Sequence, residues 1–348
     1  MKPDALSTIL ALDQERAAKD RQYLRAHATK VAYDRAWRMF ATWCSERALL
    51  ADRVEGPNVA AYLSWLSEQR PSPTNQRRHG ANRPAGIGTM SWSTIAQAYS
   101  VIAMTYRGLQ RPGWDGPSAC PPEVWQQYQA IRRKLGVASK AGKYALLLEH
   151  LRPMVATLQG DGMQPLRDRA VLLVGYFLAN RSEETAALDV EDLEPSPRGD
   201  GSINVKLRRS KSDQEGKGRT KGLVPSTTDL TLCPVVALTT WIKEADIRFG
   251  PIFRPFGPHG ELLDQRICSR HVTGVVKNAA RAAGFDEAFV ARIASHSLRA
   301  GFITEAANNG ASLEEIAAHT GHRDLNTLRG YIRRADAAGP SNPIRRII

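Results

Sequence analysis

Tyr331 follows a glycine-histidine pair closely in the sequence. Gly321 and His322 precede it, and Tyr331 lies nine positions after His322. A tyrosine hydroxyl has a reference pKa of about 10, so it attacks poorly at neutral pH unless neighbouring groups activate it. Tyr331 is therefore either a half-buried helix residue or a nucleophile that other parts of the chain activate.

The chain also contains the types of side chain that nucleophilic attack on a phosphodiester requires. In sequence order they are Arg181, Glu184, Lys211, His296 and Arg299. The transition state concentrates negative charge on the non-bridging oxygens, and guanidinium groups bind such oxygens with paired hydrogen bonds. A histidine can take the proton of the nucleophile, and a lysine can protonate the departing alkoxide. A tyrosine can then form a covalent phosphotyrosyl intermediate, and we expect no cofactor and no metal.

Each of these residues also has an ordinary structural interpretation. Arg181 and Glu184 are spaced for a surface ion pair, and Lys211 lies in a basic segment typical of a solvated hairpin. His319 and His322 are three residues apart, but no cysteine or His-Glu-x-x-His pattern supports a zinc site. The catalytic interpretation depends on the whole set and its order.

That ordered set resembles the tyrosine recombinase (phage integrase) family, and most of all its Cre-like members. The matching residues are the R-x-x-E at 181–184, Lys211, the H-x-L-R at 296–299, the G-H at 321–322 and Tyr331. The resemblance covers nearly the whole chain. It implies a site-specific recombinase that cleaves and rejoins DNA through a 3′-phosphotyrosyl intermediate and a Holliday junction, without metal or ATP.

The resemblance also implies roles for the residues that would hold the phosphate. Tyr331 would attack the scissile phosphate and retain the 3′-phosphate, while Arg181 and Arg299 would bind its non-bridging oxygens. His296 would act as general base or proton relay. His322 would donate a hydrogen bond to the phosphate.

Two further roles follow from the same resemblance. Lys211 would be the general acid for the 5′-hydroxyl leaving group, because it follows the apolar strand directly. Lys206, Lys217 and Lys221 are alternatives on the same hairpin. Glu184 would orient neighbouring active-site groups.

The sequence departs from the family pattern near these residues. Asn180, Ser182 and Thr185 stand where the family commonly has apolar residues, Ala300 where many members have a second histidine, and Thr320 where leucine is frequent. None of these changes removes a catalytic group. The family pattern does not determine the packing around Arg181.

The resemblance implies partners as well. Family members usually act as tetramers on two DNA duplexes, so we expect double-stranded DNA with an inverted-repeat target and self-association. The segment at 339–348 is either a docking segment for a neighbouring copy or a frayed tail. No added N-terminal arm-binding domain is recognisable, which favours a simple target site.

Apolar periodicity predicts the elements that position these residues. Four stripes with helical spacing lie in the first 136 residues: Tyr33, Trp37, Phe40 and Cys44; Val59, Tyr62, Leu63 and Leu66; Ile95, Tyr99, Ile102 and Tyr106; Val124, Tyr128, Ile131 and Leu135. These stripes predict a helical bundle at 1–136 with an exposed basic loop at 70–88, followed by a basic linker at 137–145. The resemblance implies that the helical segment is a core-binding DNA-binding domain.

The segment 146–348 is predicted to be a catalytic domain with a C-terminal docking tail. An apolar run at 167–180 predicts a buried helix, and alternating Ile203, Val205 and Leu207 predict a strand with its partner at 220–226. Ser312 and Glu315 form a capping box. The expected fold is mainly α with a small antiparallel β-sheet, in two domains.

Bulk composition is consistent with this interpretation. The formal net charge of +13 favours a polyanionic partner, because neutralising phosphates releases counterions. Four scattered cysteines suggest reduced thiols, and the sequence shows neither a signal-peptide core nor an apolar run that would span a bilayer. We expect a cytoplasmic, nucleoid-associated protein without a membrane partner.

Two other functions compete with recombination. A type IB topoisomerase-like relaxing enzyme would use the same chemistry. The segment at 312–331 also has the pattern of a helix-turn-helix, which would indicate a non-catalytic DNA-binding regulator. A regulator needs phosphate contacts but no tyrosine nucleophile, so covalent attachment to DNA distinguishes the two.

Overall fold

The computed structural model describes residues 27–69, 90–109, 121–136, 144–160, 162–208, 218–322, 324–326 and 328–330. Several predicted features lie outside these residues: Tyr331, Lys211, Lys217, the basic loop at 70–88, residues 137–143 of the linker and the segment at 339–348. The chain divides into two compact units, Met1–Lys140 and Ala141–Ile348. This division falls inside the segment predicted as a linker.

The described part of the first unit consists of helices, and each contains one of the predicted apolar stripes. They are α1 (His27–Ser45), α2 (Gly56–Glu68), α3 (Trp92–Leu109) and α4 (Pro122–Leu135). Their buried residues form one core, in which Phe40 meets Tyr62 edge to face with ring centroids 4.9 Å apart. The helical prediction for this part of the chain is confirmed.

The second unit is also mainly helical, with a small sheet after its third helix. Its helices are α5 (Leu148–Ala156), α6 (Met163–Phe177), α7 (Ser182–Ala186), α8 (Pro234–Glu244), α9 (Ser269–Ala282), α10 (Glu287–Arg292), α11 (Ser295–Asn308) and α12 (Leu313–Thr320). Within the described ranges, no helix combines the length and apolarity needed to cross a membrane.

The sheet has three antiparallel strands in sequence order. They are β1 (Leu193–Pro195), β2 (Ile203–Leu207) and β3 (Arg219–Leu223). Val205 lies opposite Lys221 in the register of β2 and β3. The predicted strand β2 and its partner are confirmed. The sequence pattern does not predict β1, because a three-residue strand that ends in proline shows no alternation.

Helix α6 lies at the centre of the second core. Residues 170–174 are all buried, and the helix packs against α8 and α11. The buried helix predicted over 167–180 is confirmed in type, but it ends at Phe177. Ala179 then has a φ of 47°, in the left-handed region where helices commonly terminate. Residues 178–180 therefore form a turn that leads directly into Arg181.

Two glycines let α11 approach its neighbours closely. A Cβ on Gly301 would overlap the carbonyl oxygen of Leu146 and lie 3.1 Å from the Tyr176 ring. A Cβ on Gly175 of α6 would lie 3.2 Å from the side chain of Leu298. Because α11 carries His296 and Arg299, these glycines help to set how close both residues lie to α6 and to Leu146.

We expect Gly301→Ala to lower the free energy of unfolding by about 1–3 kcal/mol, the usual cost of overpacking a core. The added methyl group would meet a backbone carbonyl, which has little room to move. Urea denaturation followed by circular dichroism measures the change. Gly274→Ala in α9 is the matched control, because no described atom lies within 4 Å of a Cβ there. An equal loss of stability in both variants would contradict the close-packing explanation.

Candidate active site

Arg181 and Glu184 are held by the turn that follows α6. Arg181 is the N-cap residue of α7, and its backbone N–H donates to Glu184 Oε2 at 2.9 Å. Its guanidinium donates to Glu184 Oε1 at 2.6 Å, while the Glu184 side chain is only 2% exposed. Burial alone would raise the pKa of Glu184, but the hydrogen bonds and charge of Arg181 outweigh it and lower that pKa. The carboxylate is thus a buried, charged support for Arg181 and not a surface ion pair.

Arg299 and His296 lie one turn apart on α11. Arg299 is 1% exposed, and its Nη1 donates to the carbonyl oxygen of Ala179 at 2.6 Å. His296 is exposed at the surface of the helix. Although part of this side chain reaches solvent, the protein atoms packed around its ring, and then the charges of Arg299 and Arg181, lower the pKa of His296. Its imidazole is therefore neutral at pH 7, the form that can accept a proton.

His322 follows the end of α12. The capping box of this helix is confirmed, since Ser312 Oγ accepts from the Glu315 N–H at 3.1 Å and Glu315 Oε2 accepts from the Ser312 N–H at 2.7 Å. Arg299 Nη2 lies 3.2 Å from His322 Nε2, and Thr320 Oγ1 lies 2.7 Å from Nδ1. Burial and then the charge of Arg299 lower the pKa of His322 to about 4.

The neutral ring of His322 carries one N–H. Because Arg299 can only donate and Thr320 Oγ1 donates to the Ile316 carbonyl oxygen, Nε2 is the acceptor and the N–H lies at Nδ1, directed to Thr320. A contact from His322 to a phosphate would use this N–H in place of Thr320.

Arg219 is a further cation of the site that sequence reasoning did not single out. It begins β3, and its Nη2 lies 3.8 Å from Glu184 Oε2. Its guanidinium occupies the space that a Cβ on Gly321 would need, and Gly321 has a φ of 70°. The left-handed φ favours glycine at 321, and the absence of a side chain there leaves room for the Arg219 guanidinium. The only sequence signal for Arg219 is its place in a basic hairpin.

The hairpin lysines differ sharply in their surroundings. Lys206 is exposed on β2, whereas Lys221 of β3 is 3% exposed and faces the core. Lys221 Nζ donates to the carbonyl oxygen of Leu178 and, at 2.9 Å, to Asn180 Oδ1. These contacts hold the Lys221 amine in the interior of the second unit. Lys211 and Lys217 lie outside the described residues, so the choice of general acid among the four hairpin lysines stays open.

His319 and His322 do not converge on a common point that a metal would occupy. His319 Nε2 lies 2.8 Å from the carbonyl oxygen of Phe177, and its ring stacks on Phe302 with centroids 4.8 Å apart. Among the described residues, no group of three or more histidine, cysteine, aspartate or glutamate side chains is arranged to hold a metal ion.

The described site residues form an electropositive cluster suited to a phosphate. Among these residues three guanidinium groups, on Arg181, Arg219 and Arg299, lie near one carboxylate, that of Glu184, so positive charge is in excess. Neutral His296 and His322 lie close enough to the arginines for the positive charge to lower their pKa values. Donors held in this way stabilise charge that develops on phosphate oxygens during transfer. Such a cluster in a mainly helical domain is suited to phosphoryl transfer.

Comparison with known proteins identifies the family. Residues 146–338 match the family described as "Phage integrase family", which is more than half of the chain. The chain therefore belongs to the phage integrase family, and it is a tyrosine recombinase, an enzyme of site-specific DNA recombination.

Individual relatives agree with this placement. The chain is 29% identical over 308 residues to the integrase/recombinase XerD homolog of Selenomonas ruminantium, covering 88% of this chain and 82% of that protein. It has the fold of the Tn1549 transposon integrase in complex with transposon right-end DNA (TM-score 0.55, 15% identity, 93% and 94% of the two chains). It also matches XerH recombinase bound to palindromic difH substrate in a post-cleavage complex (TM-score 0.53, 16% identity, 80% and 68% of the two chains).

The structure brings together most of the site residues predicted from sequence. Arg181, Glu184, His296, Arg299 and His322 lie around one cluster, and Lys211 and Tyr331 lie outside the described residues. The structure shows the packing around Arg181 that the family pattern does not determine. Asn180 binds Lys221, and Thr185 is buried with its Oγ1 3.7 Å from the position of a Cβ on Gly175.

Proposed function

We propose that this recombinase cleaves and rejoins DNA through a 3′-phosphotyrosyl bond to Tyr331 and exchanges strands through a Holliday junction, without metal or ATP. The observation that carries the proposal is the placement of Arg299. Its buried guanidinium joins the turn before Arg181 to His322, which stands nine residues before Tyr331. One arginine thus links three of the segments that the reaction requires.

In the proposed reaction, the Tyr331 hydroxyl attacks the scissile phosphorus and the bond to the 5′-oxygen breaks. Arg181 and Arg299 bind the non-bridging oxygens, and His322 donates a hydrogen bond to one of them. Neutral His296 takes the tyrosine proton. The second strand's 5′-hydroxyl then attacks the phosphotyrosyl bond and releases the tyrosine, so the energy of the phosphodiester is conserved.

Two further residues complete the proposed reaction. Lys211 protonates the departing 5′-oxygen, as general acid. Glu184 orients Arg181 through the pair of hydrogen bonds described above, which reach both its backbone N–H and its guanidinium. A carboxylate that accepts both bonds fixes the guanidinium relative to the start of α7.

The proposed partner is double-stranded DNA with an inverted-repeat site, bound by a tetramer that spans two duplexes. The net charge of +13 supports a polyanionic partner. Solved relatives of the same fold are described in complex with transposon end DNA and with a palindromic substrate. In this assembly the helical unit before the linker binds DNA, and the segment at 339–348 docks on a neighbouring copy. The protein would act in the cytoplasm, on the nucleoid.

A nicked suicide substrate built from DNA that flanks the gene tests the proposal. With EDTA present and ATP omitted, we expect an adduct that resists SDS, is lost on protease treatment and joins the protein to the 3′-phosphate. Denaturing gels of end-labelled strands measure it. Clear binding to the same DNA without any adduct would contradict cleavage and favour a regulator. Relaxation of supercoiled plasmids regardless of sequence, without strand exchange, would instead indicate a topoisomerase.

A further inference from the structure

Lys221 is a buried lysine that the proposed reaction does not use. It lies on the inward face of the β2–β3 hairpin, opposite Val205 and next in alternation to Leu223. Only 3% of the residue is exposed. Burying an amine costs free energy unless its hydrogen-bonding capacity is satisfied, so a lysine at a core position calls for a specific reason.

Its contacts are made to one short segment. The Nζ atom donates to the Leu178 carbonyl oxygen and to Asn180 Oδ1, and these residues flank Ala179. Ala179 is held at a φ of 47°, which costs a non-glycine residue about 1–2 kcal/mol. Lys221 thus binds both sides of the one residue in this turn whose backbone is strained.

The same turn positions both arginines of the site. The carbonyl oxygen of Ala179 accepts the hydrogen bond from Arg299 Nη1, and Arg181 is the next residue after Asn180. The turn is also joined to the end of α6 by the Ala179 N–H to Tyr176 and the Asn180 N–H to Gly175. A change in the turn would therefore shift the anchor of one arginine and the backbone of the other.

The surroundings of Lys221 indicate that its amine acts through hydrogen bonds and not through its charge. Burial first, and then the neighbouring charge of Arg219, lower the pKa of Lys221 to about 6, against the opposing effect of Glu184. The amine is therefore mainly uncharged at neutral pH. An uncharged amine still has two hydrogens to donate, one to each of its acceptors, and it adds no repulsion to the guanidinium cluster.

We propose that Lys221 is a positioning residue for this reaction: through Leu178 and Asn180 it holds the 178–180 turn in the shape that places Arg181 and Arg299, and it ties that turn to β3. The inference rests on the proposed function for its catalytic consequence. It also gives the hairpin a mechanical connection to the arginines, because β3 leads out of the segment that carries Lys211.

Lys221→Met tests this role, since it keeps the length of the side chain and removes both donors. We expect single-turnover cleavage of the nicked substrate to fall on the order of 10²-fold, the effect of a small misplacement of reacting groups. DNA affinity and the melting temperature of the folded protein are controls. Lys243→Met, on an exposed lysine at the end of α8, should cleave like the parent protein.

Asn180→Ala provides a second measurement if Lys221→Met fails to fold. It removes only one acceptor, so we expect a smaller loss of cleavage rate. Where both variants fold, the double variant should lose less than the product of the two single losses, because the residues act through one contact. A folded Lys221→Met or Asn180→Ala protein that cleaves at the parent rate would overturn the proposal.

Backbone hydrogen exchange in the free protein separates this inference from the proposed function. In either variant we expect faster exchange at the amides of residues 179–181, and unchanged exchange in α8. If the parent protein forms no adduct on any substrate, the proposed function fails, yet exchange still reports on the turn. Unchanged exchange at 179–181 in the folded variants would refute the positioning role independently of activity.

Discussion

Tyr331→Phe is expected to abolish the covalent adduct and strand exchange while leaving DNA binding unchanged. Phenylalanine keeps the ring and removes the only atom that would attack phosphorus. Loss of a nucleophile lowers turnover on the order of 10⁶-fold in enzymes where it has been isolated, so residual cleavage should lie below detection. The measurement is the fraction of end-labelled suicide substrate that becomes attached to protein, at enzyme concentrations that saturate binding.

Tyr176→Phe is the control for this result. Its hydroxyl is buried in the catalytic unit and has no hydrogen-bond partner among the described residues. Burial also raises the pKa of Tyr176 above its ordinary value, which makes it a poor nucleophile. We expect this variant to form the adduct normally. An adduct that persists in Tyr331→Phe would mean that another residue is the nucleophile, and peptide mapping of the adduct would identify it.

Arg299→Lys is expected to reduce the cleavage rate roughly 10²- to 10³-fold, the loss found when one donor to a developing oxyanion is removed. Lysine preserves the charge but not the planar fork. In the structure the two terminal nitrogens of Arg299 have different partners, since Nη1 binds the Ala179 carbonyl and Nη2 approaches His322. An ammonium group at the end of a flexible chain cannot keep this geometry and also bind the phosphate.

Single-turnover cleavage and filter binding on the same substrate measure the effect of Arg299→Lys. We expect DNA affinity to change little, because one phosphate contact among many is lost while the charge remains. Arg248→Lys is the control: that arginine is exposed and pairs with Asp246 on the surface. If Arg299→Lys cleaved as fast as Arg248→Lys, the guanidinium fork would have no role in the transition state.

The helices of this protein could be predicted because their information is local. The stripe Tyr33, Trp37, Phe40 and Cys44 specifies which face of α1 is buried without reference to any partner. The Ser312–Glu315 capping box likewise depends on residues three positions apart. In β2 apolar and polar residues alternate, and this period of two is that of a half-buried strand. In each of these elements a short window of sequence contains the physical cause of the structure.

The contacts of Arg219 and Lys221 could not be predicted in this way. Alternation indicates that both point to one face of β3, but it does not say what lies across from that face. Lys221 meets Asn180 across 41 positions of sequence, and Arg219 meets Gly321 across about a hundred. Such pairs depend on how α6, the hairpin and α12 pack together. The end of α6 was predicted three residues too late for a different reason: apolar residues continue to Ala179, although the chain turns there with a positive φ.

The crowding of positive charge around Arg299 links folding to DNA occupancy. Arg181, Arg219 and Arg299 repel one another, and burial together with their charge keeps nearby imidazoles and an amine in their neutral forms. This repulsion lowers the stability of the unit that contains the cluster. A bound phosphodiester acts as a counterion and removes that repulsion. Because any ligand that prefers the native state stabilises it, we expect bound DNA to raise the free energy of unfolding of this unit. The cluster that suits the site to phosphate thus lowers the stability of the free protein, and DNA binding offsets that loss.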